Sequence, residues 1–231
     1  YQKSHSTKVT VNANTGELDT IQYIISSNSS ATPNTTLTNG ATLTLSNNTG
    51  TFYVIVKACD KTGNCKTTVS NPFNLDNQAP NISFNPNGNS TYQKSATVTV
   101  IGTDNVSKFD KVKYIVSTDK NATPTTELSN GGTVTISGKT GTYYIVVEAC
   151  DTLGNCKTQA SNPFYMDSSA PSITFEPNGS TWAKSASTKV TVNANTGEIN
   201  TIKYIVSTSA TATPSTTITN GGTVNLEGLT G

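Results

Sequence analysis

The amino-acid sequence predicts an all-β protein made of sandwich domains in tandem, and three observations support this prediction. Short runs rich in β-branched residues alternate with turn signals at intervals of about 8 to 12 residues. No segment has the periodicity of an amphipathic helix. The chain also repeats itself with a period of about 90 residues, which is the length of a whole domain rather than of one solenoid turn.

The self-alignment divides the chain into a first repeat (1–76), a second repeat (77–167) and a third repeat (168–231). The boundaries lie within LDNQAP and MDSSAP, two polar linkers whose proline favours extended backbone at the residue before it. In this frame Tyr1 aligns with Tyr92 and Gly231 aligns with Gly141. We therefore expect the first repeat to lack its opening strand and the third to lack its closing strands. A window cut from a longer array explains this, and completion by a strand from a neighbouring chain is the alternative.

Seven strands are predicted in the complete second repeat. NISF opens it, SATVTVIGT and KVKYIVS follow, and TTELSNGGTVTIS is interpreted as two strands joined at Asn130-Gly131. An Asn-Gly pair supplies the positive φ angles that a tight hairpin needs. TYYIVVEAC and CKTQASNPF complete the set. Equivalent Asn-Gly pairs occur at Asn39 and Asn220.

The sixth strand carries a cysteine on the face that points away from the core. Side chains alternate along a strand, so Ala149 lies on the face that points to the core, while Glu148 and Cys150 lie on the opposite face. We expect that opposite face to be more exposed to solvent. Cys156 follows across a polar turn, close enough for a disulfide at the tip of a hairpin. Cys59 and Cys65 repeat the arrangement.

Two such disulfides indicate an oxidising, extracellular compartment, whereas four free thiols in a reduced cytosol are the alternative. A zinc site is disfavoured, because the two cysteine pairs belong to different repeats and structural zinc needs four converging ligands.

Composition and charge exclude several classes of function. Fifteen Lys and Arg residues against 14 Asp and Glu residues leave a net charge of +1, so no basic face is expected for nucleic acid. No apolar run is long enough to span a membrane in this segment. His5 is the single histidine and has no counterpart in the other repeats, so the groups that hydrolytic catalysis needs are missing and we predict that the chain is not an enzyme.

Calcium is the one cofactor that the sequence suggests. Asp60, Asp76, Asp151 and Asp167 lie in turns or linkers near asparagines, and carboxylate and amide oxygens suit a hard cation. The alternative is that these side chains cap backbone groups of their own turns, which needs no metal.

Tyr92 and Trp182 occupy one aligned position and are the candidate ligand-binding residues. An exposed aromatic ring can stack on a sugar, but an aromatic residue at this position can equally close the end of a sandwich by packing.

The stretch TYYIVVEACDTLGNC, followed by NPFYMDSSAPSITFEPNGS, resembles the bacterial immunoglobulin-like repeats of large extracellular surface proteins. In those repeats a G-T-Y strand leads into an A-x-D-x-x-G-N turn, and a D-x-x-A-P linker begins the next module. The resemblance implies tandem seven-stranded immunoglobulin-like β-sandwiches that serve as spacers, stalks or adhesive segments. The cysteine pair departs from many such turns.

We therefore expect a non-catalytic structural module at an extracellular bacterial cell surface, such as a stalk, adhesin or surface-layer component. Its expected partners are neighbouring repeats of the same chain or polymer, together with host-surface or cell-wall glycans. A carbohydrate-binding accessory module is the first alternative. A filament subunit that assembles by strand donation is the second.

Overall fold

The computed structural model describes residues 1–13, 16–179 and 181–228. None of these residues lies in a helix, which confirms the predicted all-β class. Within these ranges there is accordingly no helix long and apolar enough to cross a membrane. Each sheet takes its strands from a single one of the three sequence repeats.

The second repeat is a sandwich of two sheets. One sheet has the order β12-β9-β8, and the other has the order β11-β10-β13-β14, with β15 paired to the start of β13. The strands are β8 (Asn81–Asn85), β9 (Ser95–Thr103), β10 (Phe109–Ser117), β11 (Thr126–Leu128), β12 (Thr133–Ser137), β13 (Gly141–Asp151), β14 (Cys156–Ala160) and β15 (Phe164–Met166).

The core of this repeat lies between the two sheets and confirms the predicted inward face of β13. Ile145, Val147 and Ala149 are completely buried in the core cluster, opposite Val98 and Val100 of β9. Burial of alternate aliphatic side chains from both sheets is the main stabilising contribution to such a sandwich.

Two details of the predicted strands are wrong. CKTQASNPF forms two strands, because Ser161 interrupts the ladder by exchanging hydrogen bonds with the backbone of Ile145. The Asn130-Gly131 turn does not close a hairpin: β11 pairs with β10, whereas β12 pairs with β9 in the opposite sheet. The side chain of Asn130 instead accepts from the N–H of Gly102 and donates to its carbonyl, each at 2.8 Å, and so extends the β9 ladder past the turn.

Among its described residues, the first repeat has the same plan without an equivalent of β8. Its strand β1 pairs with β4 in a two-stranded sheet, and its second sheet has the order β3-β2-β5-β6 with β7 paired to β5. The strands are β1 (Ser4–Lys8), β2 (Leu18–Ser26), β3 (Thr35–Thr36), β4 (Thr42–Ser46), β5 (Gly50–Asp60), β6 (Cys65–Val69) and β7 (Phe73–Leu75).

The third repeat contains a three-stranded sheet of order β16-β17-β20 and a separate β18-β19 pair. Its strands are β16 (Ser172–Glu176), β17 (Ser185–Asn193), β18 (Ile202–Tyr204), β19 (Thr216–Ile218) and β20 (Thr223–Glu227). Its buried cluster is small, with Val190, Val192 and Val224 at its centre.

Candidate functional site at the junction of the first two repeats

All four cysteines form disulfides, as the sequence predicts. Cys150 and Cys156 are directly opposite each other on β13 and β14, and their Cα atoms are 4.1 Å apart. Cys59 and Cys65 match them on β5 and β6. Each bond therefore closes a hairpin tip outside the aliphatic core, although Cys150 itself is only 4% exposed.

In the first repeat the carboxylate of the disulfide-closed turn, that of Asp60, accepts its hydrogen bonds from residues of the turn itself. The carboxylate of Asp60 accepts from the backbone N–H and the hydroxyl of Thr62, and from the backbone and side-chain N–H groups of Asn64, at 2.7 to 3.0 Å. These bonds, led by the Thr62 hydroxyl, lower the pKa of Asp60 to about 2. This is the turn-capping role that was the alternative to calcium binding.

In the second repeat the equivalent carboxylate, that of Asp151, also accepts a hydrogen bond from outside its turn. Asp151 accepts from the backbone N–H groups of Leu153 and Asn155, from the Asn155 amide, and from the hydroxyl of Ser107 at 2.9 Å. Burial is the largest single influence on the pKa of Asp151 and acts to raise it. The hydrogen bonds from Asn155, Ser107 and Leu153 together outweigh it, so the pKa is lowered.

The linker carboxylate of Asp76 is held by both repeats. It is fully buried, and it accepts from the hydroxyl of Thr49 of the first repeat at 3.5 Å and from the N–H groups of Gln78 and Ser107 of the second repeat at 3.0 and 3.1 Å. The side chain of Asn155 donates to the carbonyl of Asp76 at 3.1 Å, and the ammonium of Lys3 donates to the carbonyl of Gly154 at 3.1 Å. The disulfide-closed turn of the second repeat is thus bonded to the end of the first repeat.

Three carboxylates meet at this junction. Oxygens of Asp76, Asp104 and Asp151 lie within 4.8 Å of one another, and two of these residues are buried. In the described part of the chain, the other two calcium candidates, Asp60 and Asp167, belong to no such group. A hard cation suits these oxygens. The hydrogen bonds described above already use several of these carboxylate oxygens. Calcium binding therefore stays a prediction, and this cluster is the place where we expect it.

Asp104 was missed by the sequence reasoning, although a signal was present. It stands in the loop after β9 at the position that Ala13 and Ala194 occupy in the other repeats. A charge that only one of three similar repeats carries is a reason to examine that loop. The carboxylate of Asp104 accepts hydrogen bonds from the N–H groups of Val106 and Ser107.

The two aromatic candidates differ in their surroundings. The ring of Tyr92 is 5.8 Å from the ring of Tyr165, and Tyr92 remains about half exposed. Trp182 is 94% exposed. The structure therefore gives Tyr92 a packing contact at the end of its sandwich, and it leaves the face of Trp182 open to solvent. His5 lies on β1 with its ring 5.3 Å from that of Phe73.

No family model and no curated protein sequence matches this chain. Among solved structures, it is similar to fibronectin(III)-like modules of Clostridium thermocellum CbhA. The two are 13% identical with a TM-score of 0.31, over 71% of this chain and 85% of that chain. A likeness of this degree carries no argument about function.

Proposed function

We propose that this chain is a non-catalytic structural segment of an extracellular bacterial surface protein, in which sandwich repeats are held in a row by built joints. The observation that supports this most directly is the linker at Asp76. A flexible tether would leave its polar groups to water, whereas Asp76 is fully buried and is hydrogen-bonded to residues of both repeats.

The linker is also tied back to the first repeat by Asn77. Its side chain donates to the carbonyls of Lys3 and Asn48 at 2.9 and 2.8 Å, and its backbone N–H donates to the hydroxyl of Thr49 at 3.0 Å. With both sides of the linker bonded in this way, the angle between the two repeats is constrained, which is what a spacer needs in order to hold a distance.

The extracellular location rests on the disulfides. Disulfides persist in oxidising compartments and are rare in the cytosol of mesophiles. Neighbouring repeats of the same protein are the partners that this role requires, and they meet through linkers of the same Asp-x-x-Ala-Pro type.

A change in the joint tests this role. We expect Asn155→Ala to broaden the distribution of distances between spin labels placed at the exposed residues Thr44 and Thr135, because it removes the bond from the turn to the linker. Asn64→Ala is the matched control, since the side chain of Asn64 donates to Asp60 and Thr62 of its own turn. Equal distributions for wild type and both variants would contradict the role of Asn155, and a broad distribution in wild type would contradict a rigid joint.

The carbohydrate-binding alternative is supported by the exposure of Trp182. It predicts that an insoluble cell-wall polysaccharide retains the chain and that Trp182→Ala abolishes the retention. Tyr92→Ala should then have less effect, because that ring already has a partner in Tyr165. No retention of the wild-type chain would remove this alternative and leave the spacer role untouched.

A further inference from the structure

An Asn-Gly pair occupies the same place in each of the three repeats, in the turn that leads into β4, β12 or β20. The pairs are Asn39-Gly40, Asn130-Gly131 and Asn220-Gly221. In each pair the asparagine is exposed. An asparagine followed by glycine is prone to deamidation, because glycine has no side chain to hinder the approach of its own backbone nitrogen. Sequence and exposure alone therefore predict three reactive sites.

Deamidation of such a pair begins with a reaction inside the chain. The backbone nitrogen of the glycine attacks the side-chain carbonyl carbon of the asparagine and expels the side-chain nitrogen as ammonia, which takes up the proton that the glycine nitrogen loses. The product is a cyclic succinimide, and water then opens the ring at either carbonyl to give aspartate or isoaspartate. The attack needs a glycine nitrogen that can lose its proton and an asparagine side chain that can turn towards it.

Hydrogen bonds of the folded second repeat oppose both requirements. The side-chain oxygen of Asn130 accepts from the N–H of Gly102, and its side-chain nitrogen donates to the carbonyl of Gly102, each at 2.8 Å. The N–H of Gly131 donates to the carbonyl of Val100 at 2.9 Å. The side chain cannot turn towards the glycine nitrogen without breaking two hydrogen bonds, and that nitrogen cannot lose its proton without breaking a third.

The same three hydrogen bonds, with distances of 2.8 to 2.9 Å, recur in the other two repeats. They join Asn39 and Gly40 to Val11 and Val9, and they join Asn220 and Gly221 to Val192 and Val190. The restraint on the Asn-Gly pair is therefore a property of the repeat and not of one turn.

Another Asn-Gly pair of the second repeat, Asn87-Gly88 in the loop after β8, lacks this restraint. The side-chain oxygen of Asn87 accepts one hydrogen bond, from the N–H of Asn162 at 2.8 Å. In the described part of the chain, neither the side-chain nitrogen of Asn87 nor the backbone N–H of Gly88 has an acceptor. Asn87 is exposed, as Asn130 is. The two pairs have the same sequence and the same host domain, and they differ in the hydrogen bonds that hold them.

The product of deamidation does not fit the turn. An ionised carboxylate accepts hydrogen bonds but donates none, so at position 130 it would lose the bond to the carbonyl of Gly102. One carboxylate oxygen would instead face that carbonyl oxygen, and two acceptors placed together are unfavourable. Isoaspartate also lengthens the backbone at the turn into β12, which disturbs the register of β12 on β9.

We propose that the three turn pairs are modification sites whose reactivity is controlled by folding. The pairs are unreactive in a folded repeat, they form succinimide in an unfolded repeat, and the resulting carboxylate then prevents the native turn from forming again. A repeat that has stayed unfolded therefore carries a permanent chemical change, one of the ways in which unfolding becomes irreversible. This control does not depend on the spacer role, and either can hold without the other.

The wild-type chain tests the protection without any substitution. Native chain and chain unfolded in urea are incubated at mildly alkaline pH, and peptide mapping by mass spectrometry gives the rate of deamidation at each asparagine. In the native chain we expect Asn130 to deamidate about tenfold more slowly than Asn87, and in strong urea we expect similar rates at the two sites. Equal rates at the two sites of the native chain, whether both fast or both slow, would overturn the proposal, since the hydrogen bonds would then make no difference.

A series of urea concentrations below the unfolding transition tests the link to unfolding. Urea raises the population of the unfolded repeat, and hydrogen exchange in the centre of β13 measures that rise. The rate at Asn130 should increase in parallel with this exchange, whereas the rate at Asn87 should change little. A rate at Asn130 that stays constant while the exchange of β13 accelerates would overturn the proposal.

A pair of variants tests the effect of the product. Asn130→Asp should speed hydrogen exchange in β9 and β12 about tenfold, whereas Asn87→Asp, the matched control, should change it by less than about twofold. Failure of Asn130→Asp to fold, beside a folded Asn87→Asp, would be the same result in its extreme form. Equal exchange in the two variants would show that a carboxylate is tolerated in the turn, and the proposal would fail.

Discussion

Removal of one disulfide should destabilise one repeat and leave the other unchanged. The Cys150–Cys156 bond has a sequence separation of 6, and the chain-entropy model gives about 2 kcal/mol for so short a loop at 25 °C. We therefore expect Cys150→Ala/Cys156→Ala to lower the free energy of unfolding of the second repeat by about 2 kcal/mol. For a domain of this size, that corresponds to a fall in Tm of roughly 8 to 16 °C.

Hydrogen exchange followed by mass spectrometry assigns this loss to a repeat. The centre of β13 is paired with β10 on one side and β14 on the other, so its backbone amides exchange only when the repeat unfolds. A loss of about 2 kcal/mol in the free energy of unfolding should speed this exchange roughly 30-fold. Cys59→Ala/Cys65→Ala is the matched variant: it should speed exchange in β5 and leave β13 unchanged. Chemical reduction of the wild-type chain keeps the side chains in place and should affect both repeats.

An unchanged exchange rate in β13 would refute this prediction. It would mean that the disulfide adds no restriction to the unfolded chain, because the Asp151 hydrogen bonds already hold the turn there. Faster exchange in both repeats after the Cys150/Cys156 change would also refute it, because it would show that the repeats unfold together. The chain-entropy argument treats each repeat as its own cooperative unit.

Further predictions concern the carboxylates. The pKa of Asp60 falls from 3.8 to about 2 on folding, so its ionised form contributes stability that is present above about pH 4 and is lost as the pH falls through about 2. An NMR titration of the Asp60 carboxyl checks this, and Thr62→Val should raise its pKa. Millimolar calcium should raise the Tm of the second repeat in wild type and in Asp119→Asn, but not in Asp104→Asn, since only Asp104 belongs to the junction cluster. A wild-type Tm that calcium leaves unchanged would contradict a metal at this cluster.

The sequence was sufficient to predict features that depend on local alternation. Strand periodicity identified the inward face of β13, and the spacing of the cysteines identified hairpin-tip disulfides. It was not sufficient where the partner is distant in sequence. Asn130-Gly131 looks like a hairpin turn, but the choice between pairing β12 with β11 or with β9 is made by the core, which needs Val134 and Ile136 opposite β13.

A close approach between distant residues was equally hidden. A Cβ atom added at Gly102 would lie 2.3 Å from the ring of Phe109, so the glycine makes room for the aromatic side chain. The first repeat has Val11 and Leu18 at these two positions. Where the first residue of the pair is larger, as with Val11, the second is smaller, as with Leu18, which is expected for a close-packed interior. This compensation can be recognised only once the two positions are known to be in contact.

The two joints in this chain are chemically different, and the difference lies in one loop. At the first joint Ser107 donates its backbone N–H to Asp76 and its hydroxyl to Asp151. At the second joint Gly197 takes the place of Ser107, and a Cβ atom there would lie only 2.7 Å from the carboxylate of Asp167. A serine at that position would require the Asp167 carboxylate to move away.

Residues 12–17 of the first repeat and 193–198 of the third repeat both read Asn-Ala-Asn-Thr-Gly-Glu, whereas residues 103–108 of the second repeat read Thr-Asp-Asn-Val-Ser-Lys. In the second and third repeats this loop donates hydrogen bonds to the linker that precedes the repeat, so it influences how that repeat is attached to the one before. A joint that precedes the Asn-Ala-Asn-Thr-Gly-Glu loop lacks the third carboxylate and the serine hydroxyl, and it therefore has fewer bonds to hold its angle. An array that mixes the two loops contains stiffer and looser joints in an order that can be read from its sequence.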